Sequence, residues 1–245
     1  MIRKIKLIIE YDGTNYGGWQ VQPNAVTIQE EIEKAIYKVT GEKIRIHGAG
    51  RTDAGVHALA QAAHFETSTD IPSDRIKLAI NTHLKPDIRI KESLEVNEDF
   101  HARFSAKGKI YKYSIYNDRA ASAILRNTTH SVKEKLDIES MKRAAKSFLG
   151  EHDFTAFCSA GTDVEDKVRT IYDVKITDAL PLIEIFFEGN GFLYNMVRIM
   201  AGTLIDVGRG KIAPDHVEGI IRSKNREKAS PTAPAKGLCL LEVKY

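Results

Sequence analysis

The chain is predicted to be an α+β protein built from two ferredoxin-like halves, each an antiparallel sheet backed by helices. Three observations predict this. Apolar residues switch repeatedly between a period near two and a period near 3.6. The elements of the first half read strand, helix, strand, strand, helix, strand, and the second half can be read the same way. The 245 residues, 42% apolar and 28% charged, are enough for one large or two small cores.

Lys4 to Glu10 is an Ile-rich strand that ends in polar turn residues. Tyr11 to Gln20 follows as a loop, with glycines to free its backbone and aromatics to press with. Thr27 and Glu30 have capping-box spacing, Ile28, Ile32, Ala35, Ile36 and Val39 form one helical face, and Gly41 stops the helix. Lys43 to His47 and Leu59 to Phe65 read as strands on either side of a glycine-rich loop. Pro72 and Ser73 open a second helix bearing Ile76, Ala79 and Ile80, and Asp87 to Leu94 is the next strand.

In the second half, Lys109 to Tyr116 alternates as a strand, with Tyr111, Tyr113 and Ile115 on one face. Asp137 caps a helix running through Leu149, with Gly150 as its stop. Thr170 to Thr177 and Leu182 to Glu188 pair as a hairpin around Ala179-Leu180-Pro181. A strongly apolar helix is expected from Phe192 to Val207, a short one from Pro214, and a closing strand from Leu238 to Tyr245. The division is expected near Phe104 to Gly108, giving residues 1–106 and 107–245. No proline- or glycine-rich linker lies there, so tight association of the halves is expected.

Net charge is +3 with 36 Lys and Arg, which permits local basic surface without demanding it. Cys158 and Cys239 lack metal-ligand spacing, so neither a disulfide framework nor a zinc site is expected. The opening MIRKIKLIIEYDG alternates with charge and reads as a strand rather than a signal peptide. No segment has the apolar length of a membrane span. The expectation is a cytoplasmic protein.

The stretch Gly48 to Ala58 places an arginine, a carboxylate and an imidazole (Arg51, Asp53, His57) in one loop with three glycines. Spacing alone leaves two readings open, a solvated turn or a catalytic loop. No P-loop, dinucleotide fingerprint or metal cluster accompanies it.

Resemblance separates those readings. GRTDAGVHA is similar to the signature loop of the TruA family of tRNA pseudouridine synthases. So are YDGTNYGGWQ, Phe100 to Ala106, Lys109 to Tyr113, Val168 to Ile171, Phe192 to Arg198 and GLCLLEVKY, in order along nearly the whole chain. The resemblance implies the pseudouridine synthase fold, with an active-site cleft between its two subdomains. It implies that Asp53 is the catalytic aspartate, that Arg169 pairs with it, and that Tyr111 stacks on the target uracil. It also implies Leu240 as an apolar wall of the uracil pocket, a role ordinary core packing would fill equally well. Arg51 either braces RNA around a flipped nucleotide or orders its own loop through a salt bridge. For His57 a hydrogen bond to backbone is the preferred role.

The implied reaction breaks the bond from ribose C1′ to uracil N1, turns the base, and joins C1′ to C5. Its product is an isomer of its substrate, so no cofactor is expected. An ionised Asp53 can stabilise C1′, bond to it, take a proton from C2′, or attack C6. The implied substrate is the tRNA anticodon stem-loop at positions 38 to 40, held by a homodimer. Lys107, Lys109, Lys112, Arg119, Arg126, Arg222, Lys224, Arg226, Lys228 and Lys236 are candidate phosphate contacts. Ser223 to Gly237 reads as an exposed loop that could settle on RNA. The apolar helix is expected to be wrapped within the second half or to meet another subunit. Arg198, on that helix, faces either the site or phosphate. A pseudouridine synthase for another RNA, a non-catalytic RNA-binding protein, and a structural or assembly module whose basic residues are merely solvated are the alternatives.

Overall fold

A computed structural model of the chain describes residues 2–161 and 164–245. In chain order the main elements are β1 (Arg3–Tyr11), α1 (Ile28–Thr40), β2 (His47–Gly48), β3 (His57–Thr67), α2 (Ser73–Asn81) and β4 (Ile88–Val96). Then come β5 (Gly108–Asn117), β6 (His130–Val132), α3 (Ile138–Ala145), β7 (Gly150–Asp153), β8 (Val168–Ala179), β9 (Leu182–Gly189), α4 (Met196–Gly208), α5 (His216–Ser223) and β10 (Leu238–Lys244). The chain divides into two compact units, Met1–Lys107 with Leu240–Tyr245, and Gly108–Cys239.

In the first unit β1 lies between β4 and β3, antiparallel to both, and β2 pairs with β3. The order β4-β1-β3-β2 is that of the ferredoxin-like split unit. β1 alternates because one face is buried: Ile5, Leu7 and Ile9 are fully covered. α1 starts where expected, with the Thr27 hydroxyl accepting from the Glu30 amide and Gly41 ending it in the left-handed region at φ 74°.

Residues 43–46 do not form the expected strand, which is confined to His47–Gly48. The physical reason is a competing partner. The Ile46 amide donates to the Glu33 carboxylate of α1 at 3.0 Å, and its carbonyl accepts from Gln29. This segment is tied to a helix instead of a ladder. Leu240–Tyr245 also departs from expectation by clustering with the first unit. There the Lys107 amide donates to Lys244 O, the Tyr245 hydroxyl donates to Ala102 O, and Lys6 Nζ sits 3.8 Å from the Tyr245 ring centroid.

In the second unit β9 lies between β5 and β8, antiparallel to both, as the split unit requires. Two short strands lie outside the sequence expectation: β6, parallel to β5, and β7, antiparallel to β8. The helix capped by Asp137 ends its α-helical part at Ala145 and tightens into a 3₁₀ turn through Phe148 before Gly150, at φ 92°.

The apolar helix begins at Met196, not Phe192, because Asn195 takes a left-handed conformation at φ 60° and breaks the run. Nearly all of α4 is buried, and its cover comes from its own chain. The segment expected to be an exposed loop, Ser223 to Gly237, supplies part of that cover. Ala229, Ser230, Ala233 and Gly237 are buried, the Ser230 amide lies 3.4 Å from the Thr203 hydroxyl, and Arg198 Nε donates to Ala233 O at 2.8 Å. Only part of the segment, including Lys224, Lys228 and Pro231, is exposed.

Gly202 makes this contact possible, since a Cβ there would overlap the Pro231 carbonyl oxygen. Gly202→Ala is expected to destabilise the chain by about 1–3 kcal/mol despite better helix propensity. Thermal unfolding should show a melting point lower by several degrees, at about 2–4 °C per kcal/mol.

Among the described residues no helix is long and apolar enough to cross a membrane.

Candidate active site

The loop between β2 and β3 is built from both ends. Its entry is fixed by the Ala49 amide donating to Ala62 O at 2.8 Å, and by Gln61 Nε2 donating to Gly50 O at 2.9 Å. Near its exit Val56 N–H donates to Asp53 O at 3.1 Å, closing a turn across Ala54 and Gly55. Thr52 and Val56 are buried, Asp53 is half-buried, and Arg51 is exposed. The loop thus turns Thr52 and Val56 inward and leaves Asp53 between them only half-buried.

The support comes from the Tyr11–Gln20 segment. The Trp19 amide donates to Thr52 O at 3.0 Å, and the hydroxyls of Tyr11 and Thr52 share a hydrogen bond of 2.8 Å. Trp19 is buried against Gly48, whose absent side chain leaves room for the indole. Gly13 and Gly18 let this support come close. A Cβ on Gly13 would overlap Val56 O, and one on Gly18 would lie 2.6 Å from Thr52 O. Helix α1 anchors the support, since the Ile28 and Gln29 amides donate to Gly18 O and Trp19 O at 3.1 and 3.0 Å.

His57 is buried at the head of β3 and accepts the Gly13 amide on Nδ1 at 3.1 Å. Asp12 Oδ1 lies at the same distance from that nitrogen. Burial pushes the Asp12 carboxyl up, but the Thr14 hydroxyl and amide together with the neighbouring His57 outweigh it and hold Asp12 below the ordinary aspartate range. This network is the backbone-holding role expected of His57.

Arg51, Asp53 and Leu240 belong to the first unit, and Tyr111 and Arg169 to the second. Leu240 is buried in β10. Tyr111 is buried on β5, opposite Phe187 of β9, with its ring edge-on to Phe192 at 5.3 Å. It shares its face with buried Tyr113 and Ile115, as the alternation predicts. Arg169 is half-buried near the start of β8, and its Nη1 donates to Asp166 O and Val168 O at 3.1 and 2.5 Å. Those contacts hold the guanidinium over its own strand end. Arg198 donates to Asn195 Oδ1 and Ala233 O, which gives it a structural task within its unit.

Several candidate phosphate contacts already have partners within the chain. Lys112 pairs with Glu184 at 2.6 Å, Lys224 with Asp153 at 2.8 Å, and Arg222 with Glu218. Arg226 donates to Ala229 O, and Lys236 to Arg126 O. Lys107, Arg119 and Lys228 are exposed. Among the described residues no group of His, Cys, Asp and Glu is arranged to hold a metal ion.

The supporting roles of Tyr11, Gly18, Trp19 and Thr52 are not assigned by the sequence. Their signals are the crowding of aromatics and glycines in a short loop and their place in the stretches YDGTNYGGWQ and GRTDAGVHA.

A family model described as tRNA pseudouridine synthase matches residues 7–105 and 144–245, which include Arg51, Asp53, Arg169 and Leu240 and leave Tyr111 between the matched stretches. That sets the class. Among the curated relatives, each aligned over all of both chains, the tRNA pseudouridine synthase A of Acetivibrio thermocellus is 56% identical and that of Ruminiclostridium cellulolyticum 53%. The corresponding protein of Clostridium acetobutylicum is 49% identical, again over the whole of both chains. The chain belongs to the tRNA pseudouridine synthase A (TruA) family, and its activity is that of a tRNA pseudouridine synthase.

Proposed function

We propose that the chain converts uridine to pseudouridine in the anticodon stem-loop of tRNA, at positions 38 to 40, with Asp53 as the catalytic carboxylate. The observation that carries this reading is the buttressed loop: Thr52 and Val56 are locked inward on either side of half-buried Asp53. A carboxylate held this way costs little to reorganise when charge develops at C1′. The N1–C1′ bond breaks, C1′ bonds to C5, the C5 proton leaves to solvent, and N1 takes up a proton in place of C1′.

In this reading Arg169 is the charge partner of Asp53, as the family resemblance implies. Tyr111 stacks on the uracil, and Leu240 supplies an apolar wall. Arg51, exposed beside Asp53, braces the RNA from which the nucleotide has flipped. The working form is a cytoplasmic homodimer in which both chains contact one tRNA, an assignment that rests on the family resemblance.

The test is to treat unmodified tRNA transcripts with the chain and map pseudouridine by carbodiimide modification and primer extension. New stops confined to positions 38 to 40 are expected. Stops elsewhere in the tRNA would keep the chemistry and remove the assigned substrate position.

A further inference from the structure

The turn that follows β4 presents an aromatic ring to solvent on a rigid base. Phe104 is 77% exposed, yet its ring lies 4.4 Å from that of His101 at an interplanar angle of 32°. His101 in turn lies 4.6 Å from buried His64 and 5.7 Å from exposed His47, and His64 stacks on His47 at 5.2 Å and 25°. His47 and His64 face each other across the β2–β3 pair, which also launches the Asp53 loop.

The turn is closed by its own hydrogen bonds. His101 Nδ1 accepts the Arg103 amide at 3.1 Å, Ser105 N–H donates to His101 O at 2.9 Å, and Ser105 Oγ accepts the His101 amide at 3.0 Å. The Ala102 amide donates to His64 Nδ1 at 3.1 Å. The backbone that carries Phe104 is therefore ordered before any ligand arrives, which favours binding.

The charges beside the ring are positive. Arg103 is exposed, with its guanidinium carbon 5.7 Å from the Phe104 centroid, and Lys107 is exposed three residues on. Glu98 and Asp99, exposed on the preceding turn, favour placing a phosphate on the Arg103 and Lys107 side. Burial, followed by the neighbouring His101, His47 and Lys4, pushes His64 down to about 4, so the base of the column is neutral at physiological pH. An exposed aromatic face flanked by cations suits a nucleobase joined to a phosphate.

We propose that Phe104 is a stacking platform for an unpaired nucleotide of the tRNA substrate, with Arg103 holding the adjoining phosphate. This rests on tRNA as substrate and not on the role of Asp53. The test measures the Kd and KM of unmodified tRNA for the wild-type protein, Phe104→Ala, Phe104→Trp and Arg103→Ala, with circular dichroism to confirm folding. Stacking is worth enough that Phe104→Ala should weaken Kd and raise KM by about tenfold, while Phe104→Trp restores both. Arg103→Ala should lower the salt dependence of log Kd by about one. If folded Phe104→Ala leaves Kd and KM within about twofold, the platform does not exist. If the change instead alters molar mass in light scattering, with tRNA binding lost only as the dimer is lost, the ring belongs to an interface between copies and the proposal is overturned.

Discussion

Asp53→Asn is expected to lower kcat/KM for tRNA on the order of 10⁴-fold, about 5.5 kcal/mol of transition-state stabilisation, while leaving fold and tRNA affinity near wild type. Asparagine matches aspartate in shape, and the turn at this position is made by backbone, from Val56 N–H to Asp53 O. What is lost is the charge. A neutral amide neither stabilises an electron-poor C1′ nor bonds to it as a carboxylate does, and it is no base for the C2′ proton. Asp53→Glu keeps the charge but extends it by one methylene from a rigid loop. A displacement of this kind is expected to cost about 10²-fold or more. Single-turnover kinetics with filter binding on the same samples separates these effects. Loss of tRNA binding in proportion to loss of rate would give Asp53 a binding role instead.

Gly18→Ala is expected to damage the same step from outside the loop. Gly18 has φ 99°, and a Cβ there would lie 2.6 Å from Thr52 O and 3.1 Å from both Ala54 N and Asp53 C. The methyl group therefore presses on Asp53 and the two residues that flank it. A shift approaching 1 Å in the carboxylate is expected to cost about 10²-fold in kcat, with KM changed much less. The strained backbone should cost about 1–3 kcal/mol of stability. Gly41→Ala is the control. Its φ is 74°, but nothing beyond its chain neighbours and its own helix lies within 4 Å of where a Cβ would stand. It should lose stability by about 1 kcal/mol through backbone strain and keep its kinetics. Equal kinetic loss in both variants would mean that strain alone, and not contact with the loop, explains the effect.

The His64 column makes a pH prediction as well. The folded value lies near 4, below the ordinary 6.5, so the unfolded chain takes up this proton first. The contribution is absent above about pH 6.5, and stability falls as pH drops from there toward about 4, after which the slope vanishes. Denaturant midpoints for the wild type and His64→Gln should diverge in their pH slope within that window and run parallel above it. A slope unchanged by the substitution would show that His64 protonates equally in both states.

Elements with local signals are legible in the sequence. Thr27 and Asp137 announce helix starts because a side-chain oxygen meets an amide three residues on, and Gly41 and Gly150 announce stops because each takes a positive φ. Elements decided by remote partners are not. Residues 43–46 alternate like a strand, yet Glu33 and Gln29 of α1 hold Ile46. The 192–195 stretch is apolar like the helix after it, but Asn195 turns left-handed. β7 is four residues with little apolar pattern and forms only because β8 offers an edge.

The candidate site is legible as a motif and not as a mechanism of support. Asp53 stands out through its RTD loop. The closing of that loop by Trp19 and Tyr11 depends on hydrogen bonds between segments distant in sequence, Trp19 N to Thr52 O and Tyr11 Oη to Thr52 Oγ1. The tolerance of Gly13 and Gly18 for that approach has the same origin. The basic residues carry a further partner that the sequence does not show. Lys112 and Lys224, candidate phosphate contacts in sequence, each face a carboxylate of their own chain.

The most direct test of the central claim is release of tritium from C5 of uridine in unmodified tRNA, followed for the wild-type protein and Asp53→Asn at equal concentrations. Formation of the C1′–C5 bond expels the C5 hydrogen, so release reports the isomerisation itself. Catalysis by Asp53 predicts release from the wild type, limited to the uridines of the anticodon arm, and none above background from Asp53→Asn. Equal release from the two proteins would remove Asp53 from its role, and no release by folded wild-type protein from any tRNA would contradict the proposed reaction.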